Sequence, residues 1–219
     1  MTDDGAGGAP LDAGRFTIWL GDIGAAIRGE RDSDVPCGEC TACCEASQFV
    51  HVGPDEADAL AHIPAALLFP APGLPSGHRL MGYDAHGRCP MLVDGRCSIY
   101  AYRPRTCRTY DCRVFAAADV VDDDPTKAAV VARARRWRFD EPLPDDVTLH
   151  GAVRAAAGFL RAHATELPDA LAPRTATQLA VLAVEAHGAF VADDEGRARD
   201  VAVADVVATV ERHGGGASA

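Results

Sequence analysis

The chain has 219 residues, 48% hydrophobic and 24% charged, with 21 Lys and Arg against 32 Asp and Glu and a net charge of -11. That is a globular balance with enough chain to bury a core, which excludes a disordered or fibrous protein. The acidic total excludes a general nucleic-acid binder, because phosphate neutralisation needs a basic face, and no stretch reaches the ~20 apolar residues of a membrane span.

Residues 1–10, rich in Gly, Ala and Asp, read as a disordered N-terminus. The opening Met1-Thr2-Asp3-Asp4-Gly5 has neither the basic region nor the apolar core of a secretory signal, so a cytoplasmic protein is expected. Phe16, Leu20, Ile23 and Ile27 then keep helical spacing, with Trp19 beside them. After a polar connection to Pro36 comes the first cysteine group, Cys37-Gly38-Glu39-Cys40-Thr41-Ala42-Cys43-Cys44.

Phe49 to Val52 predicts a short strand ended by Gly53-Pro54, and the acids from Asp55 predict a helix whose dipole they complement. Phe69 to His78 carries three prolines and two glycines and predicts a loop. Leu80 to Tyr83 reads as a strand. Met91-Leu92-Val93 and Arg96 to Tyr100, joined by Asp94-Gly95, read as a hairpin. Asp124 and Pro125 predict an N-cap and first position for a helix through Lys127 to Trp137. Residues 140–146 read as a linker, and further helices are expected over Val147–His163, Pro173–His187 and Val201–His213, before a flexible glycine-rich tail at 214–219.

The cysteines are the outlier. All eight lie between Cys37 and Cys112. A reducing compartment rarely stores so many as disulfides, and such clusters serve more often as metal ligands. Two residues between cysteines let the chain turn and aim backbone N–H groups at sulfur, a spacing used by zinc knuckles and iron–sulfur sites alike. Gly38 follows the first cysteine, where a glycine lets a tight turn adopt positive φ. The second group runs Cys89-Pro90, Cys97, Ile99-Tyr100, Arg103-Pro104, Cys107-Arg108 and Cys112. A proline after a ligating cysteine also occurs in ferredoxin runs, which favours iron–sulfur, a 4Fe–4S cluster, over zinc.

At these residues the chain resembles the widespread bacterial cysteine-cluster family of zinc- or iron-chelating proteins named for its C-x2-C-x2-C-C run. The likeness takes in all eight cysteines and about half of the chain, and it leaves the helical second half aside. It implies a metal or cluster site at Cys37, Cys40, Cys43, Cys44, Cys89, Cys97, Cys107 and Cys112. Flagellin lysine N-methylases are similar through a related cysteine run. That similarity implies, as an alternative, a cluster-dependent protein-modifying enzyme; a metal chaperone with exposed thiolates is a third reading.

One zinc ion or one 4Fe–4S cluster takes about four thiolates, so eight allow two sites, or one site plus further thiols. Adjacent Cys43 and Cys44 diverge by roughly 100° on a helical turn and can feed different sites. Between Arg88 and Arg113 stand six Arg and two Asp, locally basic in an acidic chain. Arginine near thiolates lowers their pKa and donates to sulfur, and Arg103 and Arg108, inside the motif, are the expected outer partners of the site. His51, His78 and His86 read as hydrogen-bonded or surface histidines, and the tyrosines at 100, 102 and 110 as shields of the site from water.

The reading is therefore an α+β fold. A cysteine-cluster module with a small antiparallel sheet occupies 11–115, and a helical extension occupies 116–213. The expected function is a cytoplasmic metal-binding protein that holds an iron–sulfur cluster or zinc. A protein partner or a homodimer is expected through the helical half, without nucleic acid or membrane.

Overall fold

The computed structural model describes residues 8–191 and 200–214. Most of the expected N-terminal disorder and all but the first residue of the glycine-rich tail lie outside the described residues. In chain order the elements are β1 (Leu11–Arg15), α1 (Phe16–Ile27), β2 (Val50–Val52), α2 (Ala57–His62), β3 (Leu68–Pro70), β4 (Arg79–Met81), β5 (Leu92–Val93), β6 (Arg96–Cys97), α3 (Arg105–Thr109), α4 (Arg113–Ala118), α5 (Ala128–Ala134), β7 (Trp137–Asp140), α6 (Pro144–Ala162), α7 (Ala176–Ala186) and α8 (Val203–Gly214). This mixture of helices and small sheets is the expected α+β class.

The chain forms two compact units, each discontinuous in sequence. A helical unit takes residues up to 31, 111–122 and from 132 onward, and a cysteine-rich unit takes 32–110 and 123–131. The segment 11–31, read from sequence together with the cysteine module, thus groups with the helices. The reason is burial: Phe16, Trp19, Leu20 and Ile23 on α1 are each at most 6% exposed, and α1 packs against α6.

In the helical unit β1 pairs in parallel with β7, Leu11 opposite Trp137. Sequence periodicity ran a helix through Trp137; instead α5 stops at Ala134 and the chain turns into this strand. Phe16, Trp19, Phe139 and His150 form one aromatic group, with Phe16 stacked on His150 at 4.2 Å between centroids. α6 starts at Pro144, whose missing N–H costs nothing in a first turn. The Asp146 carboxylate, on that turn, is fully buried. It accepts Arg15 Nε at 3.1 Å, the Thr17 backbone N–H at 3.0 Å and the Leu143 N–H at 3.1 Å. Val153, Ala156, Ala157 and Leu160 on α6 then bury against α7, and Val206 and Val210 make the buried stripe of α8. A second buried network joins Trp19 Nε1–H to Asp111 Oδ2 at 2.9 Å and Arg113 to the same carboxylate at 2.7 Å.

In the cysteine-rich unit three strands form an antiparallel sheet in the order β2-β4-β3, with Val50 opposite Met81 and Leu68 opposite Met81 on its other side. β3 lies where the proline-rich loop was expected to begin. As an edge strand it tolerates Pro70, which has no N–H to give a ladder. Val52, Ala59, Ile63, Met81, Met91 and Ile99 make the core of this unit, and Cys89 and Cys97 pack against it. The β5–β6 hairpin turns on Asp94 and Gly95, at φ 49° and 73°, the left-handed pair that an Asp-Gly turn requires. Asp124 caps its turn as expected, its carboxylate accepting the Thr126 N–H at 2.9 Å.

Candidate metal centre

Outside the β2–β4 ladder, and out of its register, two further main-chain bonds join the stretch before β2 to the stretch after β4. Ser47 donates its N–H to the Gly87 carbonyl at 2.9 Å, and Cys89 donates to the Cys44 carbonyl at 2.6 Å. These bonds bring the end of the first cysteine group against the start of the second. The turn at Ala42–Glu45, closed by Cys44 N–H on the Thr41 carbonyl at 2.8 Å, presents Cys44 to it. The hairpin supplies Cys97 at the end of β6, opposite Leu92, and α3 supplies Cys107.

The sulfurs of these four residues act on one another. Cys44 hydrogen-bonds to Cys89, which pushes the Cys44 thiol up, reinforced by burial. The same bond lowers Cys89 to about 7, against burial, with the backbone N–H groups of Met91 and Leu92 also aimed at its sulfur. Burial pushes Cys97 up, opposed by the Ile99 N–H and the Arg103 charge. Burial also lifts Cys107 to about 12, helped by Cys89 and Cys97 and opposed by Arg103. Two of the four sulfurs thus already receive main-chain N–H donors, the feature that stabilises a ligating thiolate.

The other four cysteines are placed differently. Cys37 and Cys40 lie on a turn closed by Cys40 N–H on the Cys37 carbonyl at 3.0 Å, with Gly38 at φ 58° as its position demands. Both are half-buried, whereas Cys43 is exposed, though its charge also acts on Cys44. Cys112 belongs to the helical unit, where it is 6% exposed and the Trp137 indole N–H points at its sulfur at 3.2 Å. Among the described residues no set of three or more His, Cys, Asp or Glu side chains is drawn in closely enough to hold an ion. The thiols are grouped, with Cys44 bonded to Cys89, rather than closed round a point.

Of the two arginines expected beside the sulfurs, Arg103 lies over the Tyr100 ring at 3.7 Å and donates to the Tyr100 carbonyl at 2.9 Å, and its charge acts on Cys97 and Cys107. Arg108 pairs with Asp32 at 3.1 Å. Tyr100 and Tyr102, expected as shields, are 62% and 43% exposed, and Tyr102 stacks on His62. His51 and His78 bond to each other at 2.8 Å between ring nitrogens. Asp55 and Glu56, read in the sequence only as acids at a helix start, both reach Arg105. Nothing local in the sequence signals that long-range contact.

Grouped, half-buried thiols with main-chain donors and one nearby guanidinium make this a cysteine module of the metal-chelating class. Residues 36–126 match the model of the CxxCxxCC family, described as "Putative zinc- or iron-chelating domain". No curated protein and no solved structure matches the chain. The likeness to flagellin lysine N-methylases therefore rests on the cysteine run alone. Among the described residues no helix is long and apolar enough to cross a membrane.

Proposed function

We propose that the protein is a metal-binding module whose centre is held by Cys44, Cys89, Cys97 and Cys107. The observation that carries this reading is that a main-chain bond sets Cys44 against Cys89, beside the hairpin that bears Cys97 and the short helix that bears Cys107, with N–H donors on two of the sulfurs. Four thiolates match the donor number of one zinc ion or one 4Fe–4S cluster. The Cys89-Pro90 step favours the cluster, which supplies one-electron chemistry, whereas zinc supplies a rigid cross-link. Either centre carries about two negative charges with four thiolates, and Arg103 offsets one of them. The cysteine-rich unit has a small core, so metal binding adds to its folding free energy.

Anaerobic purification, visible absorption and elemental analysis on one sample test the reading. A broad band near ~400 nm with about four iron and four sulfide supports the cluster; a colourless protein with about one zinc supports the structural site. A protein that takes up neither metal in stoichiometric amount overturns the proposal.

A further inference from the structure

α3 has five residues and no side-chain cap of its own, and Pro104 precedes it. A helix so short is not stable alone and takes its position from outside contacts. Hydrogen bonds from outside the helix reach Arg105, Thr106, Arg108 and Thr109. The Arg105 N–H is held by Glu56 Oε1, and the Arg105 guanidinium by Asp55 at 2.5 Å. Thr106 donates its hydroxyl to the His51 carbonyl at 2.9 Å. The Arg108 carbonyl accepts the Ser33 N–H at 2.9 Å, and the Thr109 carbonyl accepts the Ser33 hydroxyl at 3.1 Å. Where the helix is fixed, the Cys107 sulfur follows.

Glu56 differs from the other contacts in its second bond. Its Oε2 accepts the Gly53 N–H at 2.7 Å, directly after β2. One carboxylate therefore spans the end of β2 and the first N–H of α3. β2 pairs with β4, and the stretches leading into β2 and out of β4 carry Cys44 and Cys89, joined by a main-chain bond. The carboxylate thus ties the frame that holds two of the thiols to the helix that holds a third.

We propose that Glu56 is a positioning residue for the metal centre, fixing α3 so that the Cys107 thiol stands in register with Cys44 and Cys89. The proposal rests on Cys107 being a ligand. Glu56 touches no sulfur in this role; it also lies near enough for its charge to oppose the Cys107 thiolate, which gives the experiment a second sign to read.

The test titrates the full-length apo-protein with Co²⁺ under anaerobic conditions. It reads the thiolate-to-cobalt charge-transfer intensity, which scales with the number of sulfur ligands, and the affinity in competition with Zn²⁺. Cys107→Ser is the reference and should lose both intensity and affinity. Glu56→Ala should bind about 10- to 100-fold more weakly, with reduced intensity. Glu56→Gln should fall between, since one amide oxygen serves only one of the two N–H groups. Arg105→Pro removes the N–H itself at a first-turn position that accepts proline, and should match Glu56→Ala. Arg105→Ala keeps that N–H and should stay within a few-fold of wild type, because the exposed pair with Asp55 is worth little.

Wild-type binding by Glu56→Ala and Arg105→Pro, with Cys107→Ser impaired, overturns the positioning role and leaves the ligand reading standing. Tighter binding by both Glu56→Ala and Glu56→Gln overturns it too, by showing that the charge alone matters. Wild-type binding by Cys107→Ser overturns the ligand reading and this inference together. Should Glu56→Ala fail to fold by circular dichroism, the contrast of Arg105→Pro with Arg105→Ala decides.

Discussion

Cys44 and Cys89 meet main chain to main chain: the Cys89 N–H donates to the Cys44 carbonyl at 2.6 Å, and their thiols bond to each other as well. Main-chain bonding, not side-chain reach alone, brings the two cysteine groups together. Serine at Cys44, Cys89, Cys97 or Cys107 should each cut metal content to under about half of wild type, since a centre with four ligands loses one. Serine at Cys112, buried under the Trp137 indole in the helical unit, should leave metal content unchanged. Elemental analysis of the purified variants checks both statements, and full metal content in Cys89→Ser would contradict the ligand set.

Metal uptake should release protons. In the metal-free protein Cys107 sits at about 12 and Cys44 and Cys97 are also raised, so at pH 7 all three carry protons, while the bond from Cys44 lowers Cys89. Ligation needs four thiolates, so about three to four protons leave per metal. Protons compete with the metal, and affinity must fall as pH falls. Zinc calorimetry in buffers of different ionisation enthalpy measures this number; release of about one proton or fewer would show that these thiols are not the ligands.

The hairpin turn offers a test of stability beside the site. Gly95 stands at φ 73° between Val93 and the strand that ends in Cys97. A Cβ there meets no neighbouring atom, so the cost of alanine is conformational alone. Gly95→Ala should destabilise the cysteine-rich unit by about 1–2 kcal/mol, measured by denaturant unfolding of the metal-loaded protein. An unchanged midpoint would mean that the turn tolerates the substitution by opening.

Acid should loosen the helical unit through Asp146. Burial opposes its ionisation, but the bonds from Thr17, Leu143 and Arg15 prevail and hold its carboxyl at about 2. A carboxyl free in the unfolded chain titrates near ~4. The folded value is the lower one, so the stabilisation is complete above about pH 4 and is lost as pH falls through about 2. Asp146→Asn should lower the thermal midpoint at pH 7 and flatten its decline between about pH 4 and 2. An equally steep decline in the variant would place the acid sensitivity elsewhere.

Much of the local chemistry was legible in the sequence. The Phe16 helix, the Asp94-Gly95 turn and the Asp124 cap each rest on residues a few positions apart, where local physics decides. The cysteine constellation was legible for the same reason. The β1–β7 pair was not, because Leu11 and Trp137 meet only through tertiary packing, and Trp137 also keeps the helical spacing of the segment before it. β3 was hidden by prolines that an edge position excuses. The sorting of the cysteines was illegible too: Cys112 belongs to the motif in sequence, yet it is buried beside the Trp137 indole and groups with the other unit.

The bonds of Ser33 to Arg108 and Thr109, with Asp32 pairing Arg108, also fasten the point where the chain enters the cysteine-rich unit to the point where it leaves. Seen from the helical unit, the whole stretch from 32 to 110 is an insertion whose mouth is already stitched shut. The helices need not bear the closure entropy of a long open loop, and because that cost grows only by about 0.6 kcal/mol per doubling of length, the insert is free to grow or shrink.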